Sequence, residues 1–239
     1  MDQKKQERIQ KLAFLLKQMD KIHLRDAAQI LNVSDMTIRR DLSDAPNGMA
    51  LLGGYIVQNR SNQLHRYHIF EQEHKHIPEK MAVGKMAADL VQDGDIIFFD
   101  CGSTIPYIAS QIRTEICFTA ICCSINTFMV LQEKPNCQLI LCGGEYSRHN
   151  SFLTSMTLQN ELDAICTNKA FISAAGIHTT QGVTCFSFDE AKTKQKAMAK
   201  SKQSILVFDH TKLNRVEKAY IAPLEQFDLI LCDQECIAN

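Results

Sequence analysis

From residue 81 to the end of the 239-residue chain, short apolar runs alternate with helical segments, and this alternation constrains the fold most. The apolar runs lie at residues 95–100, 118–124, 137–142, 169–177, 204–210 and 227–233. Short strands that are apolar on both faces and separated by helices are typical of a parallel sheet covered by helices on both sides. We therefore predict an α/β domain over residues 81–239.

The beginning of the chain follows a different pattern, that of three helices. Apolar residues recur at helical spacing over residues 5–19 and 24–31. Ser34 is a good N-cap for a third helix that starts at Asp35. Two short helices joined by a tight turn, the second with outward arginines, form the helix-turn-helix pattern.

An apolar segment broken by two glycines follows the third helix. Gly53 and Gly54 fit the bend of a β-hairpin, which would form the wing of a winged helix-turn-helix. We predict this winged domain over residues 1–57 and a linker with a connecting helix over residues 58–80. Four of the eight histidines, His65, His68, His74 and His76, fall in the linker, and their irregular spacing indicates surface residues.

The third helix carries the residue types that recognise DNA. Its pattern places Ile38 and Leu42 inward and leaves Thr37, Arg39, Arg40 and Asp41 outward. The major groove admits one helix, and arginine can pair with both base edges and phosphates. Residues 1–60 hold ten basic and seven acidic residues, whereas the remainder holds sixteen and twenty, so only the head is basic. A small helical domain with merely solvated arginines is the alternative, but the spacing AAxxLxVSxxTIRRDL favours DNA binding.

Composition bounds the compartment and the cofactors. The ten cysteines lie mostly in apolar runs without a CxxC pair, so we expect buried, reduced thiols and neither a metal site nor a cofactor. No apolar stretch reaches the roughly 18 residues that a membrane span needs. The polar N-terminus lacks the apolar core of a signal peptide, so we expect a cytoplasmic protein.

Polar loops follow several of the predicted strands. Ligands of open α/β sheets bind beyond the carboxyl ends of the strands, where these loops meet. The loops are residues 100–104, 124–126, 143–145, 174–176 and 209–212. Each alone fits an ordinary capped turn, and Lys194 and Lys212 alone fit solvated side chains, but together they predict a site for a small anion.

Several motifs together resemble the DeoR family of bacterial repressors: TIRRDL, LLGGYIV, DCGST, GGE, SAAGIH and DHTK. The resemblance covers nearly the whole chain. It implies a C-terminal domain similar to pentose-phosphate isomerases, which binds a phosphorylated sugar and thereby releases operator DNA. It further implies deoxyribose-5-phosphate as the inducer and nucleoside catabolism as the regulated pathway. Since one short helix gives too little affinity for DNA and a helix-turn-helix binds as a dimer on related half-sites, we also expect a homo-oligomer.

The resemblance also implies two sets of site residues. For operator contact they are Ser34, Thr37, Arg39 and Arg40. For the effector they are Asp100, Gly102, Ser103, Thr104, Asn126, Gly143, Lys194 and Lys212.

Two other functions remain open at this point. A sugar-phosphate isomerase needs a carboxylate base, but the loop Ser173–Gly176, which is acidic in the isomerases, holds alanines here, so we expect no enzyme. A DNA-binding protein without a ligand is the other alternative, and the set of polar loops argues against it.

Overall fold

The computed structural model describes residues 3–19, 21–43, 49–58, 69, 72, 75–157 and 161–234. The chain divides into two compact units, Met1–Arg66 and Tyr67–Asn239. This division falls within the stretch predicted as a linker, most of which lies outside the described residues. The histidines at 65, 68 and 74 also lie outside them, so their predicted exposure stays a prediction.

Three helices build the first unit around an apolar core. They are α1 (Gln3–Gln18), α2 (Leu24–Ile30) and α3 (Asp35–Ser43). Leu12 of α1, Ile38 of α3 and Ile56 are fully buried, and all three belong to one hydrophobic core cluster. Each helix thus buries the apolar side that its spacing indicated, and the three predicted helices are confirmed to within two residues at their ends.

A three-stranded antiparallel sheet completes this unit. Its strands are β1 (Lys21–His23), β2 (Met49–Leu52) and β3 (Tyr55–Gln58), in the order β1-β3-β2. Gly53 and Gly54 connect β2 to β3 with φ values of +56° and +83°. Two successive positive φ values define a type I′ turn, whose twist matches that of a hairpin. The predicted wing is confirmed, whereas β1 was missed because three residues carry too little pattern.

A six-stranded parallel sheet forms the centre of the second unit. Its strands are β4 (Ile96–Phe99), β5 (Phe118–Cys122), β6 (Cys137–Leu141), β9 (Thr167–Ser173), β12 (Ser201–Phe208) and β14 (Leu229–Cys232). Their order is β14-β12-β9-β4-β5-β6, and every neighbouring pair is parallel. The α/β fold class predicted from the alternating pattern is confirmed.

Five helices accompany the sheet in the described part of this unit. They are α4 (Ile77–Ala88), α5 (Ile105–Gln111), α6 (Ile125–Leu131), α7 (Glu161–Ala164) and α8 (Phe188–Lys200). Ile97 and Phe99 pack with α4, α5 and α6 on one face of the sheet. Phe98 and Leu206 pack with α7 and α8 on the other face, so both faces are covered as predicted. Helix α4 begins four residues earlier than predicted, because Pro78 in its first turn has a φ suited to helix initiation.

Two smaller β-structures were missed by the sequence prediction. A hairpin pairs β7 (Glu145–Ser147) with β8 (Phe152–Thr154), and a second sheet joins β10 (Gly176–His178), β11 (Gly182–Cys185) and β13 (Ala219–Ala222). Short 3₁₀ turns lie at His210–Lys212 and Leu224–Gln226. None of the described helices is both long and apolar enough to cross a membrane.

Candidate functional site

The strand order of the parallel sheet reverses at its centre: from β4 the chain adds strands towards one edge, and from β9 it adds them towards the other edge. Strands β4 and β9 are neighbours there, with β5 and β6 on one side and β12 and β14 on the other. The loops that leave β4 and β9 therefore diverge and open a crevice beyond the carboxyl ends of the two strands, where ligands of such sheets bind. Asp100 follows β4, and Ser173 ends β9.

The floor of this crevice is a buried ion pair. Asp100 accepts hydrogen bonds from the backbone N–H of Ser173 at 2.9 Å, from Ser173 Oγ at 2.5 Å, and from Lys194 Nζ. Lys194 Nζ also donates to the carbonyl and the hydroxyl of Ser173, each at 3.1 Å. Asp100 and Lys194 are each only 1% exposed.

The two charges of this pair stabilise each other. Burial opposes the ionisation of Asp100, but the Lys194 charge and the hydrogen bonds from Lys194 and Ser173 hold its pKa below the ordinary value. Burial alone would lower the pKa of Lys194, but the Asp100 carboxylate beside it raises that pKa instead. Both groups are therefore ionised at neutral pH, and the pair is electrically neutral as a whole.

A cavity of about 670 Å³, measured with its open mouth, lies above the ion pair. The residues that line it are Gln72, Cys101, Gly102, Ser103, Thr104, Asn150, Ser173, Ala174, Ala175, Cys185, Phe186, Glu190, Lys194, Lys212 and Arg215. Five of the eight residues predicted for the effector belong to this wall: Gly102, Ser103, Thr104, Lys194 and Lys212.

The turn between β4 and α5 forms one side of the cavity. Gly102 stands against Ser173, and a Cβ atom at position 102 would collide with the Ser173 hydroxyl. Only glycine therefore lets this turn approach the end of β9 so closely. Ser103 and Thr104 follow it with buried side chains in the cavity wall, 7% and 5% exposed.

Helix α8 and the β7–β8 hairpin form another side. Glu190 and Lys194 are one helical turn apart on α8, so both face the cavity. Asn150, in the hairpin connection, donates from Nδ2 to Glu190 Oε1. Burial raises the pKa of Glu190, although Lys194 and the hydrogen bond from Asn150 act in the opposite direction. Glu190 is thus a carboxylate in the cavity wall that the sequence prediction did not include among the effector residues.

The 3₁₀ turn after β12 adds further positive charge. Lys212 Nζ lies 3.8 Å from Asp209 Oδ2, and burial lowers the Lys212 pKa while Asp209 acts to raise it. Arg215 lies three residues further along and also lines the cavity. Since Asp100 already neutralises Lys194, Lys212 and Arg215 supply the charge that an anionic ligand would meet.

Three of the predicted effector residues, Asn126, Gly143 and Asp100, are not part of this wall. Asn126 lies in α6 and accepts a hydrogen bond from Ser124, and Gly143 follows β6 at an exposed position. Both occupy the predicted edge of the sheet, but β5 and β6 are one and two strands further from β9 than β4 is. Asp100 also stays behind the wall, where it holds Lys194.

The cavity wall includes residues that sequence reasoning missed. Asn150, Phe186 and Arg215 come from irregular segments that no strand or helix pattern places at the sheet edge, and Gln72 is helical but lies in the stretch predicted as a linker with a connecting helix. Only Glu190 had a usable signal, its spacing of four residues from Lys194 on a predicted helix.

The candidate DNA-contacting surface lies on α3. Ser34 Oγ accepts a hydrogen bond from the Thr37 backbone N–H at 3.2 Å, which confirms Ser34 as the helix cap. Ser34, Arg39 and Arg40 are exposed, and Thr37 is half-buried. These four predicted residues therefore run from the N-cap of one short helix to its last turn.

The predicted outward position of Asp41 is wrong. Asp41 is 1% exposed, and its carboxylate accepts from Arg8 of α1 at 2.7 and 3.1 Å. The bidentate geometry makes this a strong pair. It fixes α3 against α1, a long-range contact that the periodicity of α3 alone does not reveal.

A helix-turn-helix unit combined with a small-ligand cavity in an α/β unit defines a class of protein, the ligand-responsive transcription regulators. Within this class, the chain belongs to the DeoR family. Residues 8–60 match the DeoR-like helix-turn-helix domain, and residues 75–234 match the DeoR C terminal sensor domain.

Individual relatives agree with this assignment. The deoxyribose operon repressor of Escherichia coli (strain K12) is 43% identical over 98% of this chain and 92% of its own length. The lactose phosphotransferase system repressor of Staphylococcus aureus (strain NCTC 8325 / PS 47) is 30% identical over 97% and 93%. Among solved structures, ribose 5-phosphate isomerase A of Methanocaldococcus jannaschii aligns with 56% of this chain and 53% of its own, at 18% identity and a TM-score of 0.42. A likeness this distant says nothing about chemistry.

Proposed function

We propose that this protein is a transcriptional repressor of a deoxyribonucleoside catabolic operon, and that deoxyribose-5-phosphate releases it from its operator. The observation that carries the proposal is the 43% identity, over 98% of the chain, with a deoxyribose operon repressor. The cavity at the centre of the sheet supports the second part, because it combines cationic side chains with hydroxyl and carboxylate groups.

In this proposal the exposed side of α3 reads the operator. Arg39 and Arg40 contact base edges or phosphates in the major groove, and Ser34 and Thr37 contact the backbone near the start of the helix. One short helix provides little affinity, so the repressor acts as a homo-oligomer on related half-sites. It works in the cytoplasm, where the operator is.

The effector occupies the cavity, with its phosphate near Lys212 and Arg215 and near the hydroxyls of Ser103 and Thr104. Lys194 contacts the sugar from a position that Asp100 fixes, and Gly102 permits the close approach of the turn. Asn126 and Gly143 shape the neighbouring loops at the same edge of the sheet.

A sugar-phosphate isomerase is the second candidate, and Glu190 favours it because this buried carboxylate lines the cavity. However, Glu190 accepts a hydrogen bond from Asn150, which suits a positioning role better than proton transfer. Incubation of the protein with ribose-5-phosphate, followed by a ketose assay, separates the two. Turnover that Glu190→Gln abolishes would establish the enzyme.

Fluorescence anisotropy with labelled operator DNA at fixed salt tests the repressor, because phosphate contacts make the affinity depend steeply on salt. We expect tight binding that deoxyribose-5-phosphate reverses and ribose-5-phosphate does not. Lys212→Ala should bind the operator normally but ignore the sugar. Tight binding that no sugar phosphate reverses would support the role as a repressor but disprove the proposed inducer. The absence of specific binding to this operator would contradict the proposed operon.

A further inference from the structure

The β7–β8 hairpin places an asparagine in the cavity wall with half of its amide unused. Asn150 is 5% exposed, and its Nδ2 donates to Glu190 Oε1. Its Oδ1 is buried without a hydrogen-bond partner among the described residues. An unsatisfied buried carbonyl is costly, so this oxygen calls for a donor from outside the described residues.

The orientation of this amide follows from Glu190. In the hydrogen bond to Glu190 Oε1 the amide of Asn150 presents its NH₂ group, so its oxygen faces away from this carboxyl group. Two hydrogen bonds from outside the hairpin hold the backbone on both sides of Asn150. Ile69 N–H donates to the His149 carbonyl at 2.8 Å, and Ile125 N–H donates to the Ser151 carbonyl at 2.9 Å. The acceptor is thus positioned before any ligand arrives.

The charges of the cavity restrict which donor can approach. Lys212 and Arg215 also line the wall and disfavour a cationic group, whereas the charge of Lys194 is neutralised by Asp100. A neutral donor such as a hydroxyl is favoured, carried by a molecule whose anionic group meets the cations.

We propose that Asn150, oriented by Glu190, is the residue that recognises a sugar hydroxyl of the effector and so distinguishes a phosphorylated sugar from a simple anion. The inference rests on the proposed function, since it assigns a specificity residue to the same cavity. It differs from the effector residues predicted by resemblance, which do not include Asn150.

Isothermal titration calorimetry on the full chain tests the inference with two probes, deoxyribose-5-phosphate and inorganic phosphate. The wild type should bind the sugar phosphate more tightly. Asn150→Ala should lower the affinity for the sugar phosphate about tenfold, the loss expected for one buried hydrogen bond, and leave that for inorganic phosphate within about twofold. Asn136→Ala is the matched control, because Asn136 is exposed and donates to the Thr114 carbonyl away from the cavity.

A second variant covers the case in which Asn150→Ala fails to fold. In Glu190→Gln, the amides of residues 190 and 150 can pair in either orientation, so Asn150 no longer has a fixed orientation. The affinity for the sugar phosphate relative to that for inorganic phosphate should therefore fall as well. An unchanged ratio in the variant that folds, or equal loss for both probes, would overturn the role of Asn150. A wild type that binds both probes equally would overturn it too, while operator binding and its release would still decide the proposed function separately.

Discussion

Lys194 and Asp100 form an ion pair with side chains only 2% and 1% exposed, although the two residues are 94 positions apart in the chain. The pair joins α8 to the end of β4 beneath the cavity. The attraction between two buried charges offsets their desolvation only when both are present. Removing either residue therefore leaves the other as an uncompensated buried charge.

Lys194→Met should lower the free energy of unfolding by about 3–5 kcal/mol, because it leaves the Asp100 carboxylate buried without its counter-charge. Urea unfolding followed by circular dichroism measures the change. Lys192→Met is the control, since Lys192 is 77% exposed and should change stability by less than about 0.5 kcal/mol. The double variant Asp100→Asn/Lys194→Met should recover part of the loss, and a double variant as unstable as the sum of both single variants would contradict the coupling.

The affinity for a sugar phosphate should fall as the pH rises from neutrality towards 10.5, the ordinary pKa of a lysine. Burial lowers the pKa of Lys212 in the free protein, so Lys212 loses its proton within this window. Because the folded pKa is depressed, the Lys212 contribution to stability is present above 10.5 and is lost as the pH falls through the folded pKa. A bound phosphate favours the charged form of Lys212 and therefore opposes the lowering of its pKa by burial.

Dissociation constants measured across that pH range check the prediction. Lys212→Arg is the comparison variant, since a guanidinium keeps its charge and should give a nearly flat profile. The same fall of affinity in Lys212→Arg would assign the pH dependence to another group.

Two glycines predicted for the effector site should respond differently to alanine. Gly102→Ala forces a Cβ atom into the Ser173 hydroxyl, which should displace Ser173 from Asp100 and lower effector affinity at least about tenfold. Gly143→Ala meets nothing within 4 Å and should leave the affinity unchanged. Calorimetric titration of both variants with deoxyribose-5-phosphate makes the comparison, and a large loss in Gly143→Ala would restore that residue to the effector site.

Arg39→Ala and Arg40→Ala should each weaken operator binding by about 1–3 kcal/mol and leave effector binding intact, since both side chains belong to the exposed part of α3. Anisotropy with operator DNA and calorimetry with the sugar phosphate measure the two properties. Arg113→Ala is the control, because this exposed arginine pairs with Glu115 in the second unit. Loss of sugar binding in Arg40→Ala would refute the separation into two functional modules.

The sequence predicted the elements whose residues repeat at regular spacing. The runs that became β4 and β5 are largely apolar on both faces, and α3 begins at the cap that Ser34 supplies. Asp41 shows the limit of such patterns. Its position on α3 indicated exposure, but Arg8 of another helix buries it.

The candidate site was predicted where it follows regular strands and missed where it does not. The strand ends placed residues 102–104 at the edge of the sheet where the cavity lies, but the order of the strands, which separates Asn126 and Gly143 from the cavity, is not encoded in local periodicity. Asn150 reaches the wall through a hairpin whose short strands carry no clear alternation.

The separation of the site residues along the chain also determines when the cavity can form. Asp100 obtains its hydrogen bonds from Ser173, 73 positions later, and from Lys194, 94 positions later. Contacts of this range form slowly, and a chain that emerges from the ribosome N-terminus first completes residues 1–66 long before α8 exists. On the proposed function, the capacity to respond to the effector is therefore among the last properties that a newly made copy acquires, after the helix-turn-helix unit.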